Sequence, residues 1–466
     1  LKNIILSGIA FHHSGGKMHI KLIYPDWGNF PLYYRRYIST LSLPTVAGLT
    51  PPDIDVSFTD ERIEEIDFND KPDLVGISSM TCQAYRAYEI AKIYREKGVP
   101  VVLGGVHPSL NPDEAQLHAD AVVIGEAEES WPRLIEDFKK GQLQKTYSCP
   151  DRPDLKNLCA PRRDLLEDKG YIPMDSVQIS RGCPINCDFC VVPNAFGKTF
   201  RQRPIPAILD ELESLKKHLF FVDDNMILNK RYTLEFFDGL AKLGIKWTGL
   251  GPLNLVEDER YFNAMIKSGV WLLYVDVGPW LSANMSDKGK HMTQMHKYLG
   301  YMKRLKDNNI KIIGSFVFGF DYDEKSVFEN TVNFAKAAEF DEIEFLILTP
   351  YPNSRLHQKL EAEKRIINRD LSKYTTTNVV FKPKNMTPDE LYTGYINAWK
   401  EFYPKETYEE TKDGIIFKTM TAFPLSGMEF EGLLNTRYKP EDKWVSALVK
   451  KEKLERVAAK IKDSSL

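Results

Sequence analysis

Residues 175–190 read DSVQISRGCPINCDFC. A short β-prone run, 175–182, leads into Cys183, Cys187 and Cys190, spaced Cys-x-x-x-Cys-x-x-Cys. Thiolates are the natural ligands of iron–sulfur clusters. A loop at the end of a strand can wrap three sulfurs around three irons of a cube and leave the fourth iron open to a chelating small molecule. The competing reading is a zinc site completed by a distant Cys or His, although zinc sites more often pair their ligands as Cys-x-x-Cys, twice.

Downstream, the strand signal recurs at HLFFVDDN (218–225), IKWTGLGPL (245–253), GVWLLYVDVG (269–278), NIKIIGSFVFG (309–319) and EIEFLILTPY (342–351). Helical stretches such as 206–217 and 324–339 fill the gaps. Right-handed βα units in series curl into a barrel. Six units fall short of eight, so residues 175–351 are expected to form a partial (β/α)6 barrel with one open side.

Upstream, residues 18–140 alternate apolar runs at 19–25, 53–60, 74–80, 100–107 and 121–126 with helical patterns such as 84–98. Near-continuous apolar strands with helical crossovers indicate a parallel sheet covered on both faces. An α/β, Rossmann-like doubly wound domain is expected, with its ligand beyond the carboxyl ends of the strands. Residues 141–174, rich in Pro, Asp and Arg, read as a linker. Residues 352–466 read as a mixed, mostly helical C-terminal extension. Within it, 386–403 form a helix capped by Thr387 with Glu390 as its capping-box partner, and 450–466 a terminal amphipathic helix. Residues 1–17 read as a leader or a misassigned start.

A formal net charge of −3 gives no basic field, so nucleic acid is not the expected partner. No apolar run is long enough to span a membrane. Clustered cysteines without a secretion signal suit a reducing compartment, and the chain is expected to be cytoplasmic.

Residues 175–351 resemble the radical S-adenosylmethionine (SAM) superfamily, including Phe189 as the aromatic before the last cysteine. The resemblance implies a 4Fe–4S cluster on Cys183, Cys187 and Cys190, with SAM chelating the open iron and Phe189 near the SAM adenine. Phe189 as a core plug beneath the loop is the plainer alternative. Where the superfamily commonly carries Gly-Gly-Glu, this chain has FFVDDN, so Asp224 or Asn225 is the candidate for the SAM amino group. Asn225 or Asn229 capping the next helix is the alternative. Asp276 is a weaker candidate for a ribose or methionine contact. Gly314 and Ser315 permit close approach of a flat ligand or simply strand–helix packing. Arg201 and Arg203 are read as surface or salt-bridge residues.

Residues 74–81, 101–115 and 121–134 resemble the cobalamin-binding domain joined to many radical SAM enzymes. The matching positions are Ser78, Met80 and Thr81 after the third strand, Gly104 and Gly105 after the fourth, and Gly125 and Glu126 after the fifth. The Asp-x-His-x-x-Gly motif that supplies a cobalt ligand in other cobalamin domains is missing, which implies cobalt without a histidine from that motif. A corrin-free scaffold is the alternative. The stretch from 348 to 403 resembles the extension of a branch that includes hopanoid methylases and related lipid-modifying enzymes.

The resemblance, covering roughly residues 18–403, implies a cobalamin-dependent methyltransferase acting on an unactivated carbon. Its partners would be a small-molecule or lipid-like substrate and an electron donor such as flavodoxin or ferredoxin, with peripheral membrane contact an option. The alternatives are a radical SAM enzyme that forms carbon–carbon bonds or rearranges its substrate without methyl transfer, and a non-catalytic cluster or cobalamin sensor.

Overall fold

The computed structural model describes residues 17–26, 38–149, 151–172, 174–277, 288–403, 408–411 and 414–417. The first sixteen residues and the tail read as a terminal helix lie outside the described residues.

The first sheet contains β1 (His19–Tyr24), β2 (Asp55–Asp60), β3 (Leu74–Ser78), β4 (Val101–Gly104), β5 (Ala121–Ile124) and β6 (Thr146–Ser148). Every pairing is parallel, in the order β2-β1-β3-β4-β5-β6. The sixth strand falls in the stretch read as linker. It is three residues long and only Tyr147 is buried, too short for an alternation to register. Helices α1 (Ser42–Leu49) and α5 (Ala127–Lys139) cover one face, α2 (Ala84–Glu96) covers the other together with the short α4 (Pro112–Gln116), and the short α3 (Val106–Leu110) follows the β4 end. The strand order reverses between β1 and β3, so a crevice opens beyond their carboxyl ends.

The second sheet is an open, all-parallel ladder in the order β14-β13-β12-β11-β10-β7. It runs from β7 (Asp175–Val177) through β10 (His218–Phe221), β11 (Lys246–Leu250), β12 (Val270–Asp276) and β13 (Lys311–Phe318) to β14 (Glu342–Ile347). Between its first two strands, β8 (Ser180–Arg181) pairs antiparallel with β9 (Arg201–Gln202). One side of the sheet packs Phe221, Trp247, Leu273, Phe316 and Phe345 against helices to form the larger core. These helices are α7 (Ile205–Glu213), α8 (Lys230–Leu243), α9 (Glu259–Lys267), α10 (Lys288–Asp307) and α11 (Ser326–Ala337), with the short α6 (Val192–Ala195) beside the cluster loop. The other side carries Phe220, Leu272, Tyr274 and Ile313, four residues of the smaller apolar group behind the sheet.

The extension adds α12 (Arg355–Ala362) and α13 (Pro388–Phe402). Thr387 caps α13 and Glu390 completes the capping box, as expected. Asn229, not Asn225, caps α8.

Candidate functional site

The two sheets turn their carboxyl ends toward one another around a cavity of about 740 Å³. From the first domain it is lined by Ser78, Met80, Gly104, Gly105, Gly125 and Glu126, and from the second by Gln178, Arg181, Phe220, Asp224, Leu250 and Tyr274. It also runs into the first domain, between Leu22, Gly76 and Val102 on the sheet and Val46 and Trp131 on α1 and α5. Domain interiors are normally packed without voids of this kind, so a channel along the sheet face fits a long ligand arm. The Ser79 hydroxyl on the cavity wall is buried and has no hydrogen-bond partner among the described residues. Thr81, just behind it, is the same. These orphaned groups suit a polar ligand.

The two glycines of the β4 end behave differently. A Cβ on Gly104 would meet only Val123, at 3.7 Å, an ordinary contact beside the cavity. Gly105 has φ +94°, and a Cβ there would lie 2.7 Å from Ser78 Oγ and 2.8 Å from Ser79 N. Gly105 is therefore required by the chain's own β3–β4 crossing, where Ser79 N donates to Gly104 O at 3.0 Å and His107 N to Ser79 O at 3.0 Å. Both glycines line the cavity, but only at Gly104 is there room for a side chain that would intrude on it without striking the chain itself. Among the described residues the cavity wall carries no histidine.

The cluster loop leaves the neck formed by β8 and β9. Burial raises the thiol pKa of all three cysteines, that of Cys190 to about 11. Cys183 and Cys187 add to the shift at Cys190, and Cys183 to that at Cys187, so the thiols lie close enough to repel as thiolates. Among the described residues no three His, Cys, Asp or Glu side chains are drawn to metal-binding distance. The donor set, three thiols on one loop with a three-then-two spacing, fits a cube with one open iron, and ligation of a thiol by iron removes its proton. Phe189 lies edge-on to Phe320, with centroids 5.8 Å apart, against the barrel core. The loop is latched from the extension: Leu356 N donates to Asp188 O at 2.8 Å, Arg355 pairs with the Asp188 carboxylate at 2.6 Å, and Arg355 donates to Asn186 O.

The acidic strand end after β10 divides its work by face. Asp223 turns inward and accepts from Ile179 N, Ser180 N and Ser180 Oγ. Burial pushes its carboxyl up to about 7. Asp224 faces the cavity, and burial raises it to about 6. Asn225 accepts from Ile227 N at 3.3 Å in a local turn. Asp276 and Ser315 are register partners across β12 and β13, and the Asp276 charge is felt at Cys187. The structure thus gathers Asp224, Asp276 and the cysteines around the barrel mouth, with Ser315 beside Asp276.

Glu126 has a different setting from the one its position suggested. Its carboxylate, 2% exposed, accepts from Arg181 Nη1 at 2.8 Å and from Arg201 at 2.6 and 3.1 Å, and Arg152 stands 3.6 Å away. Glu128 takes a further bond from Arg181. Arg201 and Arg203 both form ion pairs, the latter with Glu211. Sequence reasoning missed Asp223, Ser79 and Arg181 as members of the site. Asp223 could have been found from the period-two alternation that puts it on the opposite face from Asp224.

Residues 46–135 match the B12 binding domain family, and residues 354–416 match a family described as a domain of unknown function, DUF4070. The chain is 29% identical over 412 residues to bacteriochlorophyllide d C-12(1)-methyltransferase of Chlorobaculum tepidum, covering 85% of this chain and 88% of that protein. It is 30% identical over 402 residues to an uncharacterized methyltransferase of Pyrococcus horikoshii, covering 78% and 87%. The fold matches the radical S-adenosylmethionine methyltransferase TsrM from Kitasatospora setae with a TM-score of 0.63 at 15% identity, over 84% of this chain and 90% of that one. With the B12 binding domain set against a six-stranded partial barrel, and a 30% identical relative covered over most of its length, the chain belongs to the radical SAM superfamily branch that carries a cobalamin-binding domain.

Proposed function

We propose that the protein is a cobalamin-dependent radical SAM methyltransferase acting on an unactivated carbon of a small, largely apolar molecule. The observation that carries this reading is the single cavity walled on one side by the cobalamin-domain rim and on the other by the barrel mouth. When bound, the cluster with SAM would supply a hydrogen-abstracting radical and the corrin would supply the methyl group. Cys183, Cys187 and Cys190 would hold the cluster, and Gly104, Ser78 and Ser79 would face the corrin. Asp224, on the cavity wall, would hold the SAM amino group, and Asp276, paired with Ser315 across the sheet, would contact its ribose or methionine portion. The apolar side chains of Val106, Phe196 and Leu250 on the cavity wall would limit water at the reacting carbon.

Two similar proteins are named for tetrapyrrole substrates, bacteriochlorophyllide and magnesium-protoporphyrin, which favours a bulky carbon skeleton here. A low-potential donor such as flavodoxin or ferredoxin would reduce the cluster. The clustering of three cysteines within eight residues favours the reducing cytoplasm, and no helix among the described residues is long and apolar enough to cross a membrane.

The test is anaerobic reconstitution with iron, sulfide and hydroxocobalamin, followed by methyl-labelled SAM and a reductant. About four irons per chain, stoichiometric corrin, deoxyadenosine and label on the corrin are expected. Cleavage of SAM by a chain that retains no corrin would replace this reading with radical chemistry lacking methyl transfer.

A further inference from the structure

We infer that Glu126 is a positioning residue that couples corrin seated on the first domain to the cluster loop of the second. This inference rests on the cofactor reading above and concerns residues no motif assigns to each other.

The geometry is a clamp on a neck. Residues 182–200, with the three cysteines, emerge from the two-stranded β8–β9 pair, and Arg181 and Arg201 are register partners across it. Both guanidiniums end on one carboxylate from the other domain: Arg201 binds it through both terminal nitrogens and Arg181 through one. Arg152 approaches the same carboxylate and also donates to Asn194 O at 3.0 Å, within the loop. Arg201 further donates to Phe196 O at 3.0 Å and Pro153 O at 2.8 Å. Glu126 follows Gly125, which has φ +79° and whose N–H donates to Ser109 Oγ at 2.8 Å. The rim that would face corrin and the clamp on the loop are thus adjacent residues of one tightly held backbone.

Charge makes the clamp sensitive to its centre. Two carboxylates, Glu126 and Glu128, meet three guanidiniums, and the Glu126 and Glu128 side chains are almost wholly buried. Removing the Glu126 charge leaves Arg201 and Arg152 facing each other without their shared counter-ion, and a buried pair broken on one side is strongly unfavourable. A ligand that moves the Gly125 rim then moves the loop neck, and by linkage the loop's own ligand affects affinity at the rim by the same factor.

The test titrates hydroxocobalamin, followed by absorbance, into the full chain with and without its reconstituted cluster. In the wild-type chain the two dissociation constants should differ by about fivefold or more. In Glu126→Gln that ratio should fall to within about twofold of one, and Glu126→Asp, which keeps the charge, should restore part of it. A role in folding alone would shift both constants together and leave the ratio unchanged. A Glu126→Gln chain that binds both cofactors with the wild-type ratio overturns the inference. So does a wild-type chain whose corrin affinity ignores the cluster, a measurement that needs no variant to fold. A wild-type chain that takes up no corrin removes the cofactor reading itself, and the inference with it.

Discussion

Asp223 accepts a hydrogen bond from Ser180 Oγ at 2.5 Å, joining the end of β10 to the strand that delivers the first cluster cysteine three residues later. The same carboxylate takes the backbone N–H groups of Ile179 and Ser180. In Asp223→Asn an amide N–H₂ must face one of these donors. Expected are a loss of about 1–3 kcal/mol in stability and less iron per chain after reconstitution. Urea unfolding and iron analysis measure both, and wild-type iron content in a folded variant would count against Asp223 as the anchor of the loop.

Replacing Cys183, Cys187 and Cys190 together with Ala should abolish cluster iron and SAM cleavage. Cys82, Cys149 and Cys159 stand apart from the loop, Cys149 bonded to Glu129 at 2.9 Å, and single Ala changes at these should leave both intact. SAM cleavage by the triple variant would dismiss the cluster assignment.

Gly104→Leu projects a side chain beside the cavity without backbone strain. Corrin affinity should fall roughly tenfold or more, equivalent to about 1.4 kcal/mol, with cluster iron unchanged. Gly105→Leu should instead disturb the fold, because its Cβ would strike the Ser78–Ser79 segment. With no histidine on the described cavity wall, the cobalt(II) paramagnetic resonance signal should lack axial nitrogen splitting. Such splitting would mean that a nitrogen from outside that wall reaches the metal.

His107 is fully buried beneath the β4 end, its Nε2 3.1 Å from Tyr88 OH and its Nδ1 3.3 Å from Asn111 Nδ2. Glu114 is the nearest carboxylate, at 3.9 Å. Burial lowers the imidazole pKa to about 4. The unfolded chain takes up this proton near pH 6.5 and the folded chain only near 4, so between these values the unfolded state binds more protons and stability falls with pH. The urea midpoint should drop on going from pH 6.5 to 4.5, and less so in His107→Gln. An identical slope in that variant would assign the acid sensitivity elsewhere.

Legibility in the sequence followed how local each signal was. The barrel strands were readable because runs such as GVWLLYVDVG are longer and more apolar than any turn. The β8–β9 neck was not, because two-residue strands paired across the cluster loop leave no period to detect. Asp223 and Asp224 are neighbours in sequence but opposites in space, so a motif comparison saw one acidic strand end where the fold has an anchor and a cavity wall. Glu126 was placed on the correct rim, yet its partners lie 55 and 75 residues away, and nothing local announces them. At Gly105 the sequence could not reveal the demand of the β3–β4 crossing, because a glycine needed for a crossing strand and a glycine needed for a ligand look the same.

The latch between Arg355 and the cluster loop sets a schedule for biosynthesis. Arg355 lies 169 residues beyond Asn186, whose carbonyl it holds. At roughly 5–20 residues per second, a nascent chain carries its cysteine loop without this latch for roughly ten to thirty seconds after the loop is made. Through that interval the three cysteines exist without the helix that fastens their loop, and only the arrival of α12 completes the latch.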